Sequence, residues 1–232
     1  MRAVGVDFSF TPVLDLGQGI SNVIGDRALH SDKEVVAELA YAMMIGMQKA
    51  GMAAIGKHFP GHGSVAADSH HILPVYECRL SDFLFEDLVP FERMIQSSML
   101  GIMTAHVVYP LIDSQPASFS EHWLQGILRQ LFKFQGVIFS DDVSMKAAVT
   151  LGDPLARTRQ ALQAGCDMVL ICNDREAVMQ VIDNLGQYDS PDDSQISQAR
   201  LARLYGGEKP LDWESLHSHT KWLQYSTILT EK

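Results

Sequence analysis

The sequence predicts an α/β protein: a parallel sheet whose strands are joined by crossover helices. Three observations carry this. Short apolar runs alternate with segments of helical periodicity along most of the chain. Helix-start signals fall between the runs. Polar residues collect where each run ends, which is where a TIM barrel builds its site. A doubly wound sheet also binds ligands at its carboxyl strand ends, so this clustering alone leaves both architectures open.

Five runs read as strands: Ala3 to Phe10, Met52 to Ile55, Leu100 to Met103, Val137 to Phe139 and Met168 to Cys172. After the first, Ser31 and Glu34 form a capping box ahead of Val36, Leu39, Met43 and Met47, spaced as one helical face. Ser81 can cap a helix leading to Pro90, and Pro90 opens a fresh turn with Phe91, Met94 and Ile95. Ser120 can cap a helix through Trp123, Leu124, Ile127, Leu128 and Leu131. Asp153 and Pro154 give a cap and a first-turn proline for a helix towards Ala164, and another helix covers Arg175 to Leu185. Ser190 to Asp193 reads as a turn or linker, with terminal helices around Ile196 to Tyr205 and Trp222 to Leu229. This divides the chain into residues 1–186, a βα unit, and 187–232, a helical extension.

The composition is 47% hydrophobic and 20% charged, which suits a globular chain of one domain or two. No apolar run approaches the roughly 20 residues that cross a bilayer. Asp7 interrupts the opening run, so no export signal is expected. Cys78, Cys166 and Cys172 are odd in number, and the latter two lie in or beside apolar runs, so a reduced, cytoplasmic setting is expected. A net charge of −10 argues against nucleic acid, which is held by clustered Lys and Arg. A small neutral ligand is compatible with it, and no membrane partner or cofactor is expected.

The polar clusters are Lys57 and His58, Thr104 and His106, Ser140 to Asp142, and Asn173 and Asp174. Lys57 to Gly63 (KHFPGHG) holds two glycines and a proline, which excludes a regular helix and with it a helical His58/His62 metal pair. Two readings stand: a tight loop holding Lys57 and His58 towards a ligand, or a glycine-rich turn whose histidines bond the backbone. Asp68 and His70 are two apart, so in an extended segment the carboxylate can orient the imidazole as an acid and base. An incidental surface pair is the alternative. Of Asp141 and Asp142, only one can face the mouth of a barrel, and the other is expected to cap the following helix.

Taken in order, FSFTPVLD at 8–15, GDR at 25–27, KHFPGHG at 57–63, DSH at 68–70, AHV at 105–107, FSDDVSM at 139–145 and AGCD at 164–167 resemble bacterial β-N-acetylglucosaminidases of glycoside hydrolase family 3. The resemblance covers the chain to about Leu185 and implies a TIM (β/α)8-type barrel, here strands four to eight with their helices. It implies that Asp141 is a nucleophile forming a glycosyl-enzyme, that His70 is the acid and base oriented by Asp68, and that Arg27, Lys57 and His58 bind N-acetylglucosamine. It further implies a role on muropeptides in peptidoglycan recycling, without metal or cofactor. Glycines 61 and 63 are candidate hinges of the loop.

Members of this branch carry roughly three further βα units ahead of the matching region, with a sugar-binding segment like Asp-Gln-Glu-Gly-Gly-Arg. Nothing here matches it, so an N-terminally truncated barrel is expected, with open edges that offer a route to self-association. Two other readings share these residues: an inactive remnant that binds sugar or a partner chain, and a metal-dependent hydrolase using His58, His62, His70, His71, His106 and Asp141. Against the metal reading, the sequence has no helical His-x-x-x-His and no strand His-x-His.

Overall fold

The structure, a computed structural model, describes residues 1–65, 73–149, 151–186, 194–206 and 210–230. Five strands form one parallel sheet: β1 (Phe8–Ser9), β2 (Ala53–Phe59), β3 (Gly101–Thr104), β6 (Val137–Asp142) and β7 (Met168–Leu170), side by side in that order. A short antiparallel pair, β4 (Val108–Tyr109) and β5 (Asp113–Pro116), lies between β3 and β6 in the chain. Each predicted run supplies one strand of the sheet, with shifted bounds. The first is the most altered: residues 2–4 form a 3-10 turn ended by Gly5 at φ 85, so only Phe8 and Ser9 join the sheet. Strands β2 and β6 run further than their apolar runs suggested and take Lys57, His58, Ser140, Asp141 and Asp142 into the strand ends.

Alternation sorts the strand side chains onto two faces. Ala54, Ile102 and Ile138 face one core with α1 (Lys33–Lys49), α2 (Leu80–Phe85), α3 (Leu88–Gln96), the π-wound segment His122–Leu131 and α5 (Pro154–Ala164), which follows the short α4 (Lys146–Val149). Trp123, fully buried, centres this core with edge contacts to Phe59, Phe83 and Tyr109. Ala53, Ile55, Met103, Val137 and Phe139 face the other way, joined by Phe8, Phe10, Met168 and Leu170. This second cluster is covered by Leu201 and Leu204, at and just beyond the end of α7 (Ser194–Ala202). Arg200 of α7 pairs with the nearly buried Asp167 at 3.0 Å, and Arg129 reaches the same carboxylate at 2.7 Å.

The helices show which local signals hold. Asp153 caps α5 through the Ala156 N–H at 2.8 Å, with Pro154 in its first turn. Ser120 Oγ accepts from the Trp123 N–H at 3.0 Å, as a cap should, although the turns that follow are π-wound. The helix α6 covers Arg175–Leu185, capped by Asp174. At α1 the cap is Asp32 rather than Ser31, accepting from Glu34 and Val35. Its buried stripe is Val36, Ala37, Ala40 and Met44, while Leu39 and Met43 are exposed. Small alanines let the helix lie close to the sheet, and that close approach fixes its rotation. No side-chain cap from Ser81 forms at α2, which begins at Leu80. The chain closes with α8 (Trp213–Ser218) and α9 (Thr220–Thr230). The expected turn at 190–193 lies outside the described residues. Among the described residues, no helix is long and apolar enough to cross a membrane.

Candidate active site

Because the five strands are parallel, Phe59, Thr104, Asp142 and Leu170 end at one edge of the sheet, and the candidate residues gather there. Alternation from Ala53 and Ile55 puts Lys57 on the face opposite α1 and α3, and Asp141, in the irregular stretch of β6 between Phe139 and Asp142, lies near enough to act on the Lys57 charge. Burial lowers the Lys57 pKa, repulsion from Arg27 adds to this, and Asp141 and Asp15 oppose it. Three of the sequence-predicted residues, Arg27, Lys57 and Asp141, therefore share one electrostatic neighbourhood. Arg27 ends the 3-10 turn Gly25–Arg27, is exposed, and donates to the Val23 carbonyl at 3.0 and 2.6 Å.

Strand β2 carries Lys57 and His58 on its last residues, and the loop proper starts at Pro60. The ladder explains this: Lys57 N–H donates to the Pro12 carbonyl at 3.1 Å, and the Lys57 carbonyl accepts from the Leu14 N–H at 2.7 Å. The Lys57–His58 and Phe59–Pro60 peptides are cis. One carboxylate binds the segment from behind. Asp15, 1% exposed, has one oxygen 2.7 Å from His58 Nδ1 and 3.1 Å from its backbone N–H. The other oxygen accepts the His62 N–H at 2.7 Å. Burial pushes the Asp15 pKa up, but His58 and the His62 N–H outweigh it, so the carboxyl stays below its ordinary range. Burial lowers the His62 pKa, against the pull of Asp15.

Asp141 and Asp142 divide their work, but Asp142 does not cap the following helix, as the sequence suggested one of them would; it binds a turn and the neighbouring strand exit instead. Asp142 Oδ1 accepts from the N–H groups of Ser144 at 2.9 Å and Cys172 at 3.0 Å, while Oδ2 accepts from Ser144 Oγ at 2.7 Å. It thus closes the turn before α4 and ties β6 to the exit of β7. Asp141 makes one local bond, from the Asp142 N–H at 2.8 Å. His106, fully buried and stacked on Phe119, donates from Nε2 to the Asp142 carbonyl at 3.0 Å. Burial lowers its pKa, so a neutral ring props the strand end. Thr104 Oγ1 and Ser140 Oγ are also structural: Thr104 donates to the Phe139 carbonyl, and Ser140 accepts from the Leu170 N–H at 3.0 Å.

Asp68 and His70 lie outside the described residues. Two site groups were missed by sequence reasoning. Asp15 offered one signal, an acid between Leu14 and Leu16 in an otherwise apolar stretch. Asp87 offered none. It precedes α3, caps nothing with its side chain, and lies so close to Gly61 that an added Cβ there would meet Asp87 Cβ at 2.9 Å. Burial, then repulsion from Asp15, raises its pKa to about 6 from 3.8. The folded chain therefore holds a proton there that the unfolded chain releases between those values. The resulting stabilisation, about 3 kcal/mol, is complete below pH 3.8 and disappears as pH rises through 6. In Asp87→Asn this dependence should vanish, so the unfolding temperature of the variant minus that of the native chain should climb between pH 4 and 7. Parallel curves would contradict the assignment.

A parallel βα sheet whose strands lie side by side in chain order, without the reversal of a doubly wound sheet, is the arrangement of the TIM-barrel class, here as five strands of a partial barrel. The chain belongs to glycosyl hydrolase family 3, whose N-terminal domain its residues 1–204 match. It is 54% identical over 229 residues to a β-hexosaminidase of Thioalkalivibrio sulfidiphilus, covering 99% of this chain and 64% of that protein. A Methylobacillus flagellatus β-hexosaminidase is 50% identical, across 94% of this chain and 61% of that one. Among solved structures, NagZ from Neisseria gonorrhoeae in complex with N-trifluoroacetyl-D-glucosamine superposes with a TM-score of 0.87 at 40% identity, over 98% of this chain and 64% of that one. This chain thus spans a little under two thirds of the length of these relatives. Among the described residues, no group of three or more His, Cys, Asp or Glu is arranged to hold a metal ion.

Proposed function

We propose that this chain carries the catalytic residues of a retaining β-N-acetylglucosaminidase that removes terminal, non-reducing β-linked N-acetylglucosamine. The observation that carries this reading is the placement of Lys57 and Asp141 at the carboxyl ends of β2 and β6, close enough for the carboxylate to act on the lysine. It is supported by likeness to proteins named β-hexosaminidase and to a NagZ bound to an N-acylglucosamine analogue. In this reading residues 1–186 are the catalytic unit and hold every residue named, and the helices α7 to α9 belong to an extension beyond it.

In this reading the Asp141 carboxylate attacks the anomeric carbon as the glycosidic bond breaks, giving a glycosyl-enzyme ester. His70, oriented by Asp68, protonates the departing oxygen and then takes a proton from the water that cleaves the ester. Arg27, Lys57 and His58 bind the sugar's hydroxyl and acetamido groups. A histidine donor, neutral once it has given up its proton, avoids a second anion beside Asp141. The chain acts on muropeptides released in peptidoglycan recycling, in the cytoplasm, and needs no metal or cofactor.

The test is release of nitrophenol from a nitrophenyl β-N-acetylglucosaminide by the purified chain, with a chelator control. Turnover unaffected by chelator supports the reading. Turnover abolished by chelator would favour a metal hydrolase, and a folded but inert chain would favour a sugar-binding remnant. His70→Ala should cost far more with alkyl glycosides than with nitrophenyl ones, because a good leaving group needs little protonation. Equal losses for both would remove His70 from the acid role.

A further inference from the structure

We propose that Asp15 is a positioning residue that fixes His58 in its Nδ1–H tautomer, so that Nε2 is the nitrogen left to accept a hydrogen bond from a ligand hydroxyl. The inference deepens the glycosidase reading and rests on it for the identity of the ligand.

The geometry leaves Asp15 little choice. Its flanking residues, Leu14 and Leu16, are both 0% exposed, and the segment is laced to β2 by the Leu14 N–H on the Lys57 carbonyl. The carboxylate therefore cannot swing away. Both oxygens are already occupied by backbone donors, His58 N–H at 3.1 Å and His62 N–H at 2.7 Å. A group held between two donors is stabilised as an anion, which agrees with its lowered pKa. An anion can only accept, so the 2.7 Å contact to His58 Nδ1 requires the proton to be on the nitrogen.

The consequence is chemical selectivity. A neutral His58 then carries a bare lone pair at Nε2, which favours ligand groups that donate, such as a sugar hydroxyl, and disfavours acceptors such as ethers. One carboxylate does two tasks: it clamps the KHFPGHG segment at His58 and again at His62, just past its proline, and it sets the polarity of the binding histidine. Sequence reading assigned His58 a binding role but had no means of telling which ring nitrogen carries the proton.

The experiment reads the tautomer directly and needs no turnover. Nitrogen-15 chemical shifts of the histidine rings are recorded on the full chain at a pH where the imidazoles are neutral, with His58 assigned by His58→Gln. The native chain should show His58 protonated at Nδ1. In Asp15→Asn, whose amide can donate to Nδ1, the population should move to the Nε2–H form. A native His58 protonated at Nε2, or an unchanged tautomer in Asp15→Asn, would overturn the proposal. Should the variant fold poorly, the native spectrum alone still decides. In parallel, affinity for N-acetylglucosamine should fall about 10-fold in Asp15→Asn, the worth of one hydrogen bond of reversed polarity. If the tautomer is as stated but the native chain neither binds nor cleaves the sugar, the glycosidase reading fails and the Asp15 assignment stands.

Discussion

Asp141→Asn should lower the turnover of a nitrophenyl β-N-acetylglucosaminide by on the order of 10⁴-fold or more, while sugar affinity changes only a few-fold. An amide oxygen is a poor nucleophile, and its uncharged group no longer stabilises positive charge at the anomeric carbon. The substitution is structurally mild. The one local bond of Asp141, from the Asp142 N–H, needs only an acceptor oxygen, and asparagine keeps one. The turn before α4 is held instead by Asp142, through Ser144 and Cys172. An unchanged unfolding temperature should therefore accompany the lost activity. Asp142→Asn should behave in the opposite way, with the fold weakened more than the chemistry. A variant at position 141 that kept more than a hundredth of native turnover would show that another group attacks the sugar.

The second large effect is expected at Gly63, and it acts through backbone. A Cβ built there falls within the van der Waals envelope of the Leu16 carbonyl oxygen, with Leu16 C and N at 3.0 and 3.1 Å. These are main-chain atoms of a fully buried residue, so they cannot rotate aside. Gly63→Ala must push the loop and the 14–16 segment apart, and Asp15 lies in that segment. The cost should be about 3 kcal/mol in denaturant unfolding, with sugar affinity lost together with stability. Gly46, exposed in α1 with nothing within 4 Å of an added Cβ, is the matched control. There Gly→Ala should stabilise the chain by about 0.5–1 kcal/mol. If Gly63→Ala is as harmless as Gly46→Ala, the loop does not pack on Leu16 as described. The close approach at Gly63 also gives this glycine a packing role beside the hinge role its sequence context suggested.

Signals that act over a few residues were legible in the sequence. Asp153 with Pro154, and Ser120, start helices where the side chain reaches a nearby N–H, a contact that needs no tertiary partner. The five strands were legible as apolar runs, but their ends were not. Lys57 and Asp142 stay in the ladder because Met103 and Leu170 of neighbouring strands offer partners, and no local pattern records that. For the same reason the buried face of α1 was misassigned: Ala37 and Ala40 are chosen by how closely the sheet lets the helix approach, and Leu39 and Met43 are left outside. Of the proposed site, Lys57, His58, Arg27 and Asp141 were singled out through an ordered series of motifs. Asp15 and Asp87 were not, because each acts on residues more than twenty positions away. A lone acid in an apolar stretch was the only trace that Asp15 left.

If Asp141 forms a covalent bond to the sugar, the intact mass of the chain, quenched during turnover of an activated N-acetylglucosaminide, registers it directly. The mass should rise by one N-acetylhexosaminyl unit, located by peptide mapping on the segment that contains Asp141 and absent from Asp141→Asn. Steady turnover with an inverted anomer as first product, or an adduct on any other residue, would contradict it.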